Sequence, residues 1–143
     1  MSLPPGYALH DAPPSPERFV ALRREAGLSP RTVEGARRGL PRALAAVSVL
    51  YDGEVFAMGR LIGDGAMNFE VVDIAVTPAH QRRGLGRAIM ARLMAHVRAI
   101  ATPGACISLI ADRGAEHLYA EFGFKPFLPD AQGMEWFMPL VQG

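Results

Sequence analysis

The sequence predicts an α/β domain built on a mixed, mostly antiparallel central sheet of about seven strands with flanking helices. Three observations carry that reading. Apolar, β-branched runs at 43–51, 55–62 and 67–76 are separated by little more than Asp52-Gly53 and Gly63-Asp64-Gly65, which is turn chemistry that joins antiparallel neighbours. Ile89, Leu93, Val97 and Ile100 recur at helical spacing, so one face of a helix over 85–100 packs on the sheet. Between these features the chain reads VVDIAVTPAHQRRGLGRAIM, a strand halted at a proline, a polar glycine loop, and the start of that helix. A chain of 143 residues can bury roughly two-thirds of its unfolded surface, so residues 1–143 are expected to form a single domain.

The elements follow in order. Residues 7–10 make a short first strand, broken by Ala12-Pro13-Pro14. Ser15-Pro16-Glu17 supplies an N-cap, a proline at the first helical position and an acid in the first turn, which predicts a helix over 17–26 closed by Gly27. Ser29-Pro30 repeats the signal for a second helix over 31–38, ended by Gly39-Leu40-Pro41. The runs 43–51 and 55–62 form a hairpin across Asp52-Gly53, and 67–76 completes a three-stranded antiparallel meander. The long helix spans about 24 Å at 1.5 Å per residue and stops at Thr102-Pro103-Gly104. A fifth strand is expected over 106–111, a short helix over 115–122 closed by Gly123, and two last strands over 124–128 and 134–140. No repeat or low-complexity segment is found.

Half of the residues are apolar, a fifth are charged and the net charge is +1, which describes a globular protein and not a disordered or nucleic-acid-coating one. Cys106 is the only cysteine. An intrachain disulfide and a thiolate zinc site are therefore out of reach, a cytoplasmic protein is the simplest expectation, and Cys106 itself is expected to be a small buried strand residue. The longest unbroken apolar stretch is 43–47, far short of the roughly 20 residues of a membrane span. MSLPPGYALH lacks the basic and apolar regions of a signal peptide.

The loop Gln81-Arg82-Arg83-Gly84-Leu85-Gly86 is built to hold phosphate. Glycines at 84 and 86 remove Cβ atoms that would keep an anion from the backbone N–H groups opening the helix. Arg82, Arg83 and Arg87 add positive charge where the helix dipole is already positive. A Walker loop would require Gly-Lys-Ser/Thr, which is absent, and a dinucleotide fingerprint would require a third glycine where Ile89 stands.

What remains is Gln/Arg-x-x-Gly-x-Gly following an apolar strand that ends in Val76-Thr77-Pro78. That pattern resembles the acetyl-coenzyme A loop of the GNAT N-acetyltransferase superfamily, and the order of elements resembles that family's over almost the whole chain. The resemblance implies a splay between the fourth and fifth strands into which pantetheine inserts, pairing with backbone groups of Ile74, Ala75 and Val76 as a peptide strand would. The N–H near Ile74 would polarise the thioester carbonyl, and the pyrophosphate would lie on the loop from Gln81 through Arg82, Arg83, Gly84, Leu85 and Gly86 to Arg87.

The same resemblance makes Tyr119, which precedes Gly123-Phe124, the general acid that protonates the departing thiolate. Its plain alternative is a half-buried aromatic on an amphipathic helix. An amine must lose a proton to attack, and Glu70, on the cofactor strand, is the first candidate base, with Asp73 second. In a regular strand Glu70, Val72, Ile74 and Val76 share one face and Asp73 the other, unless a bulge near Asp73 scrambles the order. His80 and His117 are weaker relay candidates. Arg31, Arg37, Arg38 and Arg42 could favour an anionic acceptor or simply form a solvated face. Trp136 and Phe137 could line the acceptor site, a dimer contact or the core, and Met58, Met67, Met90 and Met94 read as core fillers.

The activity expected from the resemblance is direct transfer of an acetyl group from acetyl-coenzyme A to the primary amine of a small molecule, with no metal and with neither nucleic acid nor membrane as partner. A homodimer is the assembly common in that family. A protein lysine or N-terminal amine as acceptor, and a non-catalytic acyl-coenzyme A sensor, stand as alternatives.

Overall fold

The computed structural model describes residues 2–140. Five strands lie side by side in chain order: β1 (Tyr7–His10), β2 (Ala45–Tyr51), β3 (Glu54–Gly63), β4 (Asn68–Val76) and β5 (Cys106–Leu109). The first four are antiparallel, and β5 runs parallel to β4. A parallel neighbour cannot be reached by a tight turn, and here the crossover is the helix α3 (Leu85–Ile100). The remaining helices are α1 (Pro16–Glu25), α2 (Val33–Gly39) and α4 (Glu116–Ala120).

Local chemistry explains the element boundaries. The Ser15 hydroxyl accepts from the Arg18 N–H at 3.1 Å and Pro16 opens α1, as the sequence predicts. Asp52 and Gly53 both have positive φ, 54° and 81°, the backbone a two-residue hairpin needs. The start of α2 differs from expectation. Thr32, and not Ser29, is its cap, with Thr32 Oγ1 accepting from the Gly35 N–H at 2.9 Å. Ser29 is instead occupied by arginine side chains, a point that bears on the site below.

The sheet has a core on each face. On one side α3 buries Leu85, Ala88, Ile89, Met90, Leu93, Met94 and Val97, most of them against Val47, Val49, Ala57, Leu61, Phe69 and Val71 of the strands. Each large side chain so buried contributes about 1.5–3 kcal/mol. On the other side Phe19 and Leu22 of α1 and Ala36 of α2 meet Leu40, Met58 and Ala75.

Three expectations are corrected. The class holds, but among the described residues the sheet has five strands, because 124–128 and 134–140 do not pair with it. An alternating pattern becomes a strand only where a neighbour supplies its hydrogen bonds. This tail instead runs along the α1–α2 connection, where Phe137 lies 5.9 Å from the Arg31 guanidinium carbon, and it leaves Met134, Trp136, Met138 and Leu140 exposed. Cys106 is exposed, not buried, as the first residue of the sheet's outermost strand. Met67 is exposed too, whereas Met58, Met90 and Met94 fill the core.

One irregularity positions the site. Met58 pairs with Ala75 and Arg60 with Val72, so the single residue Gly59 of β3 faces both Asp73 and Ile74 of β4. This is a β-bulge, and Asp73 adopts φ 61° to make it. The strict alternation of β4 therefore fails. Phe69 and Val71 face the α3 core before the bulge and Ile74 and Val76 face it afterwards, which leaves Asp73 on the α1 side. Gly59 is required opposite, since a Cβ there would sit 2.5 Å from Ile74 Cδ1 and 2.6 Å from Ile89 Cγ2. Gly59→Val should destabilise the fold by about 1–3 kcal/mol through overpacking. That would lower the thermal midpoint by several degrees, and an unchanged midpoint would show that the bulge does not press on α3.

Candidate acetyl-transfer site

The glycine loop closes β4 onto α3 in the manner a phosphate cradle requires. Arg82 and Gly84 have positive φ, 62° and 80°, and Gly84 is the N-cap of α3 with no side-chain cap bond. Among the described residues no carbonyl accepts from the N–H groups of Arg82 through Arg87, and the first helical bond of this turn is Ala88 N–H to Gly84 O. Six consecutive donors are thus free at the positive end of a 16-residue helix. The two glycines have separate reasons. At Gly84 a Cβ would meet nothing within 4 Å, so the constraint is its left-handed backbone; at Gly86 a Cβ would approach Leu118 Cδ2 of α4 to 3.3 Å.

The charged side chains of the loop are differently engaged. Arg87 is bound through two hydrogen bonds of 2.7 Å to the Glu121 carboxylate just past α4, which raises its pKa and lowers that of Glu121. Arg83 reaches the Tyr7 hydroxyl at 3.3 Å. Gln81 donates from Nε2 to the Val76 carbonyl at 3.1 Å. His80 is held away from the cleft, stacked on Phe56 at 4.0 Å and bonded through Nδ1 to the Tyr7 hydroxyl at 2.6 Å.

The splay follows from the register of β4 and β5. Their ladder runs only from Asn68 and Cys106 to Val71 and Leu109, so β4 continues for five more residues, to Val76, without a neighbour on that side. Thr77 N–H donates to Phe56 O on the β3 side, which by strand alternation turns the Val76 carbonyl toward the open side. A cleft of about 300 Å³ lies where the strands part. It is lined by Glu70 to Ile74 of β4, by Leu109 at the end of β5 and Ile110 and Asp112 beyond it, by Tyr119, by Arg23 and the α1–α2 connection, and by Glu135 and Phe137 of the tail.

Tyr119 and Glu70 enter this cleft from different layers. Tyr119 belongs to the α3-side core and is 8% exposed, and its hydroxyl has no hydrogen-bond partner among the described residues. Burial raises its pKa above 10 and the neighbouring Asp112 carboxylate adds to the effect, so the phenol is protonated at neutral pH. Glu70 lines the cleft from β4, half-buried and with no ion-pair partner among the described residues. Asp73 also lines it, yet both of its oxygens are taken: Arg23 Nη1 lies 2.6 Å from Oδ1 and Arg60 Nε 2.5 Å from Oδ2. His117 lies outside the lining, and of the four arginines 31, 37, 38 and 42 only Arg31 reaches the cleft.

Sequence reasoning missed Arg23. It is 5% exposed, and burial lowers its pKa against the opposing pull of Asp73. Its signal was present: an arginine standing one position after Leu22 on the apolar side of α1. Asp112 and Glu135, also missed, sit on irregular segments that carry no pattern.

Comparisons with known proteins assign this fold to a family. A family model for the acetyltransferase (GNAT) domain matches residues 44–126, more than half of the chain, and the chain belongs to that family. Over 86 residues it is 38% identical to serotonin N-acetyltransferase 2, chloroplastic, of Oryza sativa subsp. japonica, a match covering 59% of this chain and 42% of that protein. Against GCN5-related N-acetyltransferase 2, chloroplastic, of Arabidopsis thaliana it is 33% identical over 85 residues, which is 59% of this chain and 32% of that one. The match thus spans less than half the length of these curated relatives. A crystal structure from meticillin-resistant Staphylococcus aureus, described as a protein of unknown function and probable acetyltransferase, superposes with a TM-score of 0.90 at 39% identity, covering 92% of this chain and 99% of that one. Among the described residues no helix is long and apolar enough to cross a membrane.

The cradle can be tested apart from folding. Gly84→Ala and Gly104→Ala both force a Cβ onto a left-handed backbone with open space around it, at a similar cost of about 1–2 kcal/mol. Both should lose a similar amount of thermal stability, but only Gly84→Ala should also lose the added stability that coenzyme A confers, with binding weakened about tenfold. Equal ligand shifts in the two variants would remove Gly84 from the phosphate site.

Proposed function

We propose that the protein transfers an acetyl group from acetyl-coenzyme A to the primary amine of a small molecule. The observation that carries this reading is the cleft at the parted strands, where a buried, protonated tyrosine with an unpartnered hydroxyl and a glutamate without an ion pair line one cavity beside the open edge of β4. The free N–H groups from Arg82 to Arg87, with Leu85 and Gly86 in the helix's first turn, fit a pyrophosphate, and the unpaired edge at Ile74, Ala75 and Val76 fits the amides of a pantetheine arm. Bound acetyl-coenzyme A supplies the acetyl group as a thioester and leaves as the free thiol.

The residues divide the work. The Ile74 N–H polarises the thioester carbonyl as the amine nitrogen forms its bond to the carbonyl carbon. Glu70, directly or through water, takes the proton that the ammonium must lose. As the carbon–sulfur bond breaks, Tyr119 gives its proton to the sulfur, and the second proton that the nitrogen sheds in becoming an amide restores the phenol. A phenol with a pKa above 10 is a weak donor to a thiolate whose acid has a pKa of about 8.5. The burial that raises Tyr119 also raises the thiol beside it, so the mismatch narrows where transfer occurs. Asp73 is not the base in this scheme, because its carboxylate is committed to Arg23 and Arg60.

A small acceptor is favoured over a protein one because the α1–α2 connection and the tail residues Glu135 and Phe137 wall the cleft. The rice relative's name makes serotonin, an aromatic primary amine, the first acceptor to try, and Phe137 and Tyr119 offer aromatic surface to such a group. The exposed thiol of Cys106 suits a reducing compartment such as the cytoplasm.

Two variants test the assignment by thiol release and donor binding. Tyr119→Phe should lower kcat about 10²–10⁴-fold with acetyl-coenzyme A affinity within threefold; wild-type turnover across the whole pH range would discard the general acid. Because Tyr119 acts in its protonated form and its pKa is raised, any loss of rate from its ionisation must fall above pH 10. Glu70→Gln should depress the limb of the pH–rate profile that rises with pH, and an unaltered profile would hand the proton to bulk water. A wild type that neither gains thermal stability from acetyl-coenzyme A nor acetylates any amine would refute the reading entirely.

A further inference from the structure

We propose that Arg23 is a positioning residue that locks the acceptor side of the cleft to the oxyanion-binding backbone of β4, an inference that rests on the acetyl-transfer reading above. Its guanidinium makes three contacts at once. Nη1 lies 2.6 Å from Asp73 Oδ1, Nε donates to the Ser29 carbonyl at 2.8 Å, and Nη2 donates to the Ser29 hydroxyl at 3.0 Å. Asp73 is the left-handed residue of the β4 bulge and immediately precedes Ile74. Ser29 belongs to the α1–α2 connection, which walls the cleft opposite.

The arrangement is costly to build, and packing alone does not explain it. A second guanidinium, Arg60, binds the other Asp73 oxygen, and a third, Arg31, reaches the Ser29 hydroxyl at 2.9 Å, so three cations gather about one anion. The excess positive charge is met by Ser29 and by the face of Phe19, whose ring centroid lies 5.9 Å from the Arg23 guanidinium carbon and 5.7 Å from that of Arg60. A non-glycine residue at φ 61° persists only where its surroundings hold it, and here both carboxylate oxygens of that residue are held. The forked geometry of Arg23 matters because a point charge could pair with Asp73 but could not also grip Ser29 twice. Ser29 is freed for this by the displacement of the α2 cap to Thr32.

The consequence is mechanical. A shift of the acceptor wall is transmitted through one planar group to the residue that sets the direction of the Ile74 N–H. Acceptor seating and carbonyl polarisation are then not independent, and loosening the link disorders the reacting geometry without touching the phosphate cradle.

Arg23→Lys keeps the charge and removes the fork. Its kcat should fall about 100-fold, the loss expected from misplacing a reacting group by about 1 Å, while the acetyl-coenzyme A dissociation constant stays within threefold. Amide hydrogen exchange at Ala75, whose N–H by strand alternation pairs with Met58 directly after the bulge, should quicken. Ser29→Ala, which deletes the hydroxyl that Arg23 and Arg31 share and leaves the Ser29 carbonyl in place, should act in the same direction by severalfold and carries the test if Arg23→Lys does not fold. Unchanged exchange at Ala75 in the folded variants would overturn the proposal, as would a loss of donor affinity in parallel with kcat. Should the wild type acetylate no amine, the acetyl-transfer reading falls, and exchange at Ala75 in Ser29→Ala still decides whether the link exists.

Discussion

The cleft depends on one surplus residue in β4, since without the Asp73 bulge the strand would keep its pleat and Ile74 and Val76 would turn toward the α1 side. Three residues, two of them adjacent on β3, make the surplus tolerable. Gly59 leaves room for Ile74 against α3, and Arg23 and Arg60 hold the side chain of the residue with the unfavourable backbone. Removing one partner from such a buried ionic group typically costs about 3–5 kcal/mol, because the remaining charge stays desolvated. The bulge is therefore fixed by packing on one face of the sheet and by charge on the other.

From that irregularity comes a division between backbone and side chain. Donor recognition in the proposed reaction falls almost wholly to main-chain groups, the open edge of β4 and the first turn of α3, so side chains there are free to be apolar and to build the core. Proton handling falls to side chains that reach the same gap from opposite layers, Tyr119 from the α3 face and Glu70 from β4. A sheet parted between two strands is one of few architectures in which both layers open onto a single small volume.

Much of this was legible in the sequence because it rests on local rules. Asp52-Gly53 dictates a hairpin, Ser15-Pro16 a helix start, and the spacing of Ile89, Leu93 and Val97 the face that α3 buries. The turn from Gln81 to Arg87 was legible as a glycine loop opening a helix because such a turn places its demands on adjacent residues. The rest was not, for reasons of distance. The tail alternates like a strand, yet alternation cannot supply the neighbour that a strand needs, and 134–140 lies against Arg31 and its neighbours instead. Ser29-Pro30 carries a cap signal as good as that of Thr32, and what decides between them is Arg23, on the preceding helix. Asp73 reads as a candidate base until two arginines, 50 and 13 residues away, are seen to claim it.

The side chain of Gln81 gives the open edge of β4 a character that openness alone does not convey. By bonding the Val76 carbonyl it acts as a tethered stand-in for a ligand amide, already in place at a position where an arriving chain would seek an acceptor. An incoming amide that takes this carbonyl exchanges one hydrogen bond for another of the same kind and releases Gln81 to solvent. The net free energy of that exchange is close to zero. Such a carbonyl adds little to affinity but discriminates by position, since a ligand without an N–H at that point gains nothing by displacing the glutamine. The edge behaves less like an empty slot than like a lock whose pin is seated until a matching donor replaces it.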